Sequence, residues 1–163
     1  MKSSDLHRCA RMNLVGELRI AISQGVDLNE KDEFGTTALH YAVAEKNVNA
    51  VALLLEHGAE VTAQDQDGKT ALHYAVEHKL PGVAEALLEK NPKLIDIADK
   101  FGNEPLWTAA FSANGNYDLV SLLLGHGANP HHRNNSNLAP SDIPKRKRDD
   151  VLLRLLESRK SDH

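Results

Sequence analysis

A nine-residue phrase of this chain returns after a fixed interval. GTTALHYAV at Gly35 to Val43 reappears as GKTALHYAV at Gly68 to Val76, an offset of 33 residues. A fixed period in this range is typical of stacked supersecondary units and not of one closed globular core. A stacked chain presents a long, open surface with no obvious place for a catalytic pocket.

The residue types of the phrase predict a turn followed by a short helix. Gly35 suits a turn position with positive φ, and Thr37 stands where an N-cap hydroxyl belongs. Leu39, Ala42 and Val43 fall at i, i+3 and i+4, on one face of a helix. The second copy repeats this pattern residue by residue.

A second helix is predicted over Val48 to Glu56, with Gly58 placed to end it in the left-handed region. Gly-x-Thr-x-Leu-His-x-Ala, a second helix ending in Leu-Leu-Leu-Glu-His-Gly-Ala and the 33-residue period together resemble the ankyrin repeat. The resemblance implies an all-α solenoid of helix–turn–helix units with β-hairpin-like loops between them.

Shifting the pattern along the chain predicts a single domain over residues 1–163, with atypical capping units at both ends. Five units are expected, at about 3–31, 32–64, 65–98, 99–133 and 134–158. The stretch from Asn91 to Ala98 carries one extra residue. In the degenerate last unit, an amphipathic closing helix is predicted from Val151, Leu152, Leu155 and Leu156.

Composition narrows the possible partners and the compartment. The net charge is −4 and the pI about 6.1, so nucleic acid is not an electrostatically favoured partner. Apolar runs such as VALLL are too short to span a bilayer, and MKSSDLHRCARM lacks the core of a signal peptide. We therefore expect a cytoplasmic protein, monomeric when free, that binds neither membrane nor nucleic acid. The single cysteine, Cys9, is expected to be a small buried filler; a reactive thiol beside Arg8 and Arg11 is the alternative.

Histidines and acidic residues could indicate a metal or catalytic site. The resemblance assigns His40 and His73 to bracing the turns, and His57 and His126 stand at helix ends, where a donor suits the dipole. His131 and His132, expected on a hairpin tip, could join His126, but no further ligand completes a tetrahedral site. Asp32, Asp65 and Asp99 recur at the first position of a unit and are expected to brace its turn. With no nucleophile or phosphate-loop motif present, we predict no enzyme activity, no metal and no cofactor.

In ankyrin proteins, partners usually contact the hairpin tips and the first helices on the concave side. Carried over to this chain, the tips supply Glu33, Phe34, Thr36, Gln66, Asp67, Lys69, Lys100, Phe101 and Asn103. The first helices supply Glu45, Glu77, His78, Phe111 and Ser112.

Two features of these positions bear on binding. Phe34, Phe101 and Phe111 are the chain's three phenylalanines, and exposed aromatic residues often anchor interfaces; the alternative is that each covers a neighbouring hairpin. An acidic lining would favour a partner with a basic surface, unless these are ordinary solubility charges. Its members are Glu33, Glu45, Asp67 and Glu77.

The fourth unit departs from the pattern. Glu104 replaces the capping threonine, Trp107 replaces the histidine, and two residues are inserted between Ser112 and Asp118. The Thr–His brace therefore cannot form there. Trp107 is expected either to substitute for it by packing or to anchor a partner on the concave side.

The fourth and fifth units are similar to small stand-alone bacterial ankyrin proteins, many of which are thought to neutralise a partner toxin or effector. We therefore predict a non-enzymatic protein-binding module, a cytosolic inhibitor of the immunity type that occludes its partner. The alternative is a eukaryotic regulatory adaptor, with PKRKR at Pro144 to Arg148 as its nuclear-import signal. PKRKR could also be a solvated start to the closing helix.

Overall fold

The computed structural model describes residues 3–158, which fold into paired α-helices with no β-strand among them. This confirms the predicted all-α solenoid. The α-helices are α1 Ser3–Arg11, α2 Val15–Ser23, α3 Ala38–Ala44, α4 Val48–Glu56, α5 Ala71–Glu77, α6 Pro81–Lys90, α7 Pro105–Ser112, α8 Asp118–Gly125, α9 Ile143–Lys147 and α10 Asp150–Glu157.

The helices stack in two layers. The first helices α1, α3, α5 and α7 pack each against the next, and α2, α4, α6 and α8 form a second layer behind them. Small residues such as Ala42 and Ala75 are fully buried in the first layer, which lets neighbouring helices approach closely. Leu54 and Leu87 fill the space between the layers. The core is therefore a thin, continuous slab along the solenoid.

Cys9 occupies the small buried position of α1. Its side chain is fully buried, which confirms the predicted filler role. Burial raises the pKa of the Cys9 thiol, so the reactive thiolate form is disfavoured.

The turns that precede α3, α5 and α7, together with the turn of the last unit, share one construction. In the second unit, Oδ1 of Asp32 accepts hydrogen bonds from the backbone N–H groups of Phe34 and Thr36, each at 2.9 Å. Asp65, Asp99 and Asn134 make the equivalent pairs of bonds in the later units. The aspartates thus brace the turns as predicted.

Successive turns are joined by backbone hydrogen bonds. The N–H of Gln66 donates to Phe34 O (3.0 Å), that of Lys100 to Asp67 O (2.8 Å) and that of Asn135 to Phe101 O (2.9 Å). We call this row of bonds the turn ladder. Gly68 has a φ of 74° and lies so close to the next turn that an added Cβ would be 2.8 Å from Lys100 N. Glycine is needed there both for its conformation and for the close approach.

The extra residue before the fourth unit is absorbed locally. Pro92–Asp96 forms a short 3₁₀ helix, which buries Leu94 and Ile95 against the core. The two residues inserted between α7 and α8 lengthen their connection, where Asn114 and Gly115 both take positive φ.

The last unit differs from its prediction in two respects. Leu152 and Leu156 of α10 are buried, but Val151 is 53% exposed, so it lies on the outer side of the closing helix. PKRKR does not begin that helix: Pro144 to Lys147 belong to α9, and Arg148 ends it in the left-handed conformation.

Candidate partner-binding face

Each histidine of the repeated phrase joins two consecutive units. Nδ1 of His40 accepts a hydrogen bond from the backbone N–H of Thr37 (3.2 Å), while Nε2 lies 3.1 Å from Lys69 O in the next turn. An Nδ1 that accepts from an N–H must be unprotonated, so Nε2 carries the proton and donates it to the carbonyl. Burial lowers the pKa of His40 below its usual 6.5, which favours this neutral form.

His73 repeats the brace one unit later. Its Nδ1 accepts from Thr70 N–H (3.1 Å) and its Nε2 donates to Asn103 O (3.2 Å). Burial lowers its pKa as well. Both histidines are therefore scaffold residues, as predicted.

The tips of the turns present two aromatic side chains to solvent. Phe34 is 57% exposed and Phe101 56% exposed, and the Lys100 ammonium lies 5.1 Å from the Phe101 ring centroid. Among the other predicted tip residues, Glu33, Gln66, Asp67 and Lys100 are exposed, and Thr36 and Lys69 are half-buried.

Asn103 requires a correction. It is only 9% exposed, and its Oδ1 accepts a hydrogen bond from Asn134 Nδ2 at 2.7 Å. Its side chain joins the fourth turn to the fifth and is not available to a partner in this structure. The first residue of the next turn explains the difference: Asn134 has an amide that donates to Asn103, whereas the turns after Thr36 and Lys69 begin with aspartates, whose carboxylates only accept.

The C-terminal ends of the first helices supply the rest of the face. Glu45, at the end of α3, and Glu77, in the last turn of α5, are exposed. His78 and Ser112 are half-buried. Phe111 in α7 is 53% exposed, so all three phenylalanines reach solvent.

The predicted acidic lining is interleaved with cations. Three of its four carboxylates form ion pairs across the face: Glu45 with Arg11 (3.5 Å), Glu77 with Lys69 (2.5 Å) and Asp67 with Lys100 (2.5 Å). Exposed pairs of this kind contribute little stability, but they offset the negative potential of the lining. The face is therefore less acidic than its carboxylates alone imply.

Trp107 forms an aromatic stack at the end of the face. Its ring lies parallel to Phe111, with 5.0 Å between centroids and 10° between planes. The indole is partly buried against the core, and its buried Nε1 has no hydrogen-bond partner among residues 3–158. Trp107 thus packs where the brace is missing, yet it also walls a surface cavity of about 120 Å³ next to Phe111. The packing interpretation is confirmed, and the role of Trp107 as an anchor for a partner stays a prediction.

Glu104, the other substituted residue of the fourth unit, is paired with a histidine of the following segment. Oε1 of Glu104 lies 3.1 Å from Nδ1 of His132, and Nε2 of His132 lies 3.2 Å from Gly102 O. Burial raises the pKa of Glu104, opposed by the nearby imidazole. The fourth unit replaces a neutral Thr–His brace with a contact that can be ionic.

The remaining histidines are spread along the structure. His57 Nδ1 lies 2.9 Å from Leu53 O at the end of α4, as predicted for a helix terminus, whereas His126 Nε2 contacts Glu85 of α6 at 3.2 Å. His131 and His132 precede the fifth turn and do not form its tip. In residues 3–158, no three His, Cys, Asp or Glu side chains cluster as metal ligands would.

A family model for ankyrin repeats (3 copies) matches residues 6–97 and 63–134. The chain belongs to the ankyrin-repeat family. Ankyrin repeats are non-catalytic protein–protein interaction modules, so this ankyrin-repeat chain is a protein-binding module with protein partners. No curated protein matches it. None of the helices of the ankyrin-repeat chain within residues 3–158 is long and apolar enough to cross a bilayer.

Sequence reasoning missed the contact between the fourth and fifth units of this ankyrin-repeat protein. Lys147 donates a hydrogen bond to Phe111 O, and its ammonium lies 4.7 Å from the Phe111 ring centroid. The degenerate fifth unit has no repeat phrase, so no offset relates its residues to α7. The one signal in the sequence is chemical, since the ammonium of Lys147 is attracted to aromatic rings, but this does not indicate which ring.

Proposed function

We propose that this ankyrin-repeat protein is a cytosolic inhibitor of the immunity type, which binds a partner protein and occludes its functional surface. The observation that carries the proposal is the exposure of Phe34, Phe101 and Phe111, each more than half exposed. Large aromatic side chains contribute much of the energy of an interface when they are buried on binding.

The turn ladder supports a preorganised binding surface. Phe34 and Phe101 each offer a backbone carbonyl to the next turn, so the aromatic side chains extend from a hydrogen-bonded row. A rigid surface loses little conformational entropy when a partner docks.

Charge on the face favours steering and specificity over affinity. Lys69, Lys100 and Arg11 stand among the carboxylates, so a partner would need an alternating charge pattern and not a uniformly basic one.

The test uses the product of a neighbouring gene as the candidate partner, because an immunity protein is expected beside its toxin. Phe34→Ala, Phe101→Ala and Phe111→Ala should each weaken binding at least about tenfold in calorimetry, since hot-spot truncations cost about 2 kcal/mol or more. Val48→Ala is the matched control, because Val48 is 55% exposed at the start of α4 in the other layer. Unchanged affinity in all three phenylalanine variants, with circular dichroism intact, would exclude this face.

The nuclear-import alternative stays a prediction. The four basic residues of this segment are exposed, Lys145 to Arg148. The first three of them also belong to helix α9 and are therefore part of the folded solenoid. Replacing the four with alanine in a eukaryotic cell should abolish nuclear accumulation if the alternative is right, and leave the distribution unchanged if the protein is an inhibitor.

A further inference from the structure

A surface cavity joins the fourth unit to the closing cap. Its volume is about 120 Å³, and most of its wall is apolar. The aromatic stack of Trp107 and Phe111 forms one side, and Leu138 and Ile143 contribute aliphatic surface. A cavity of this kind suits a single apolar side chain.

The rim of the cavity is basic. Arg146 and Lys147 line it, and Lys145 and Arg148 flank them on the exposed part of the same PKRKR segment. Asp142 is the one carboxylate among the lining residues. It is already engaged, since its Oδ2 accepts from Ala139 N–H (3.0 Å) and lies 3.5 Å from Arg133. The two cations outnumber the single carboxylate, so the net charge of the lining is positive.

The chain makes this cavity through its departures from the repeat. In the second and third units, a histidine donates to the carbonyl of the fifth residue in the following turn, Lys69 or Asn103. The corresponding residue of the fifth turn is Leu138, which lines the cavity together with Trp107. An apolar wall has therefore replaced a polar brace, at a place where the wall stays open to solvent.

We propose that this cavity holds a large aliphatic side chain from a partner protein, flanked in the partner by acidic residues that meet the PKRKR rim. This inference rests on the proposed binding function and names the partner's chemistry at one end of the face. It also gives PKRKR a role within the binding surface.

Charge favours a protein segment over nucleic acid. Asp149 and Asp150 follow the basic run directly and line the adjoining surface depression with Lys147 and Arg148. Such carboxylates repel a continuous polyphosphate, whereas the separate carboxylates of a peptide can contact Arg146 and Lys147 singly.

The test follows the indole of Trp107, the chain's only tryptophan, by its N–H resonance and its fluorescence in the full-length protein. The probes are the synthetic peptides EDELEDE, EDEAEDE and KRKLKRK, and a ten-nucleotide oligothymidylate. EDELEDE should shift the indole resonance saturably. EDEAEDE should bind at least about tenfold more weakly, because it lacks the buried leucine. Higher salt should weaken EDELEDE binding.

Two double variants distinguish the effect of the charges on the rim from the effect of the protein's net charge. Arg146→Gln with Lys147→Gln should reduce EDELEDE binding at least about fivefold, as charged interface contacts of this kind do. Lys90→Gln with Lys93→Gln removes the same charge from exposed positions away from the cavity and should leave binding unchanged. Circular dichroism confirms that both pairs fold.

Several outcomes overturn the inference. They are no indole shift with EDELEDE, equal shifts with EDEAEDE or KRKLKRK, or stronger binding of the oligonucleotide. If the peptides fail here while Phe34→Ala and Phe101→Ala still weaken partner binding, the inhibitor role stands without the cavity. The reverse pattern keeps the cavity and excludes the proposed face.

Discussion

The Nε2 atom of His73 lies 3.2 Å from the carbonyl oxygen of Asn103, thirty residues further along the chain. The bond ties α5 to the turn of the following unit, as the His40 bond does one unit earlier. Both bonds require a neutral imidazole whose Nδ1 accepts and whose Nε2 donates. Protonation of either ring places a proton on Nδ1, which then faces the backbone N–H from which it accepted and loses that hydrogen bond.

Stability should therefore depend on pH in a defined window. Burial lowers the pKa of both His40 and His73 from 6.5, so the unfolded chain binds protons first as the pH falls. Their stabilisation is fully present above pH 6.5 and is lost below it. We expect the free energy of unfolding to fall by up to about 1.4 kcal/mol per pH unit for each histidine in that window. Urea denaturation between pH 5 and 8 measures it.

Glu104 titrates with the opposite sign. Its raised pKa means that the folded chain binds its proton more readily, so it adds stability as the pH falls through the folded pKa. The histidine slope is best measured in a Glu104→Gln background, where His73→Gln should about halve it. A flat profile from pH 7 to 5.5 in that background would contradict the assigned tautomers.

The turn ladder predicts opposite effects for two glycine substitutions. Gly68→Ala places a Cβ at φ 74° and 2.8 Å from Lys100 N, so it should destabilise the protein by about 2 kcal/mol or more. Gly82→Ala lies in helix α6 with nothing within 4 Å of the added Cβ, and should stabilise by up to about 1 kcal/mol. Thermal unfolding followed by circular dichroism compares the two variants. Equal effects would mean that the close approach of the next turn does not restrict the residue type at position 68.

The connections between paired helices contain a strained position. Lys79 takes a φ of 57° between α5 and α6, where the first unit has Asn13 at φ 55°. Asparagine tolerates this conformation better than lysine. Lys79→Asn should therefore stabilise the protein by roughly 0.5–1 kcal/mol in urea unfolding. Lys90→Asn, in the last turn of helix α6, is the control and should be slightly destabilising.

The fourth unit can be tested by restoring the repeat. Glu104→Thr and Trp107→His together recreate the capping threonine and bracing histidine, which could reach Leu138 O. Each single change supplies only one of the two partners of the brace. We therefore expect the free energy of unfolding of the double variant to be about 1 kcal/mol higher than the sum of the two single changes predicts. A double-mutant cycle by urea unfolding gives this coupling. Simple additivity would show that the fourth unit cannot form the brace.

The roles of residues that recur from unit to unit could be predicted from the sequence. Roles that depend on a particular residue in the neighbouring unit could not. Gly35, Thr37 and His40 keep their roles because each role is set within one unit and the turn that follows it. The burial of Asn103 depends on Asn134 in the fifth turn, which the unit pattern does not specify. Periodicity assigns a residue to a place in its unit, but not the chemistry of the residue facing it.

The contacts at the end of the face were even harder to predict from the sequence. Phe111 was expected to be exposed and is, yet its stack with Trp107 depends on a side-chain rotamer. Its contact with Lys147 depends on how α9 folds back after the fifth turn. No repeat offset links these residues, so the basic cavity is evident only in the folded structure.

The turn ladder also determines where the chain can change length. Its bonds join residues near the tips of successive turns, while the extra residues occur in Pro92–Asp96 and around Asn114, outside those bonds. Additions at these other connections leave the spacing of the turns unaltered. The loop at Asn114 to Asn116, exposed throughout, is therefore a place where a fluorescent or affinity tag can be inserted without changing the register of the turn ladder.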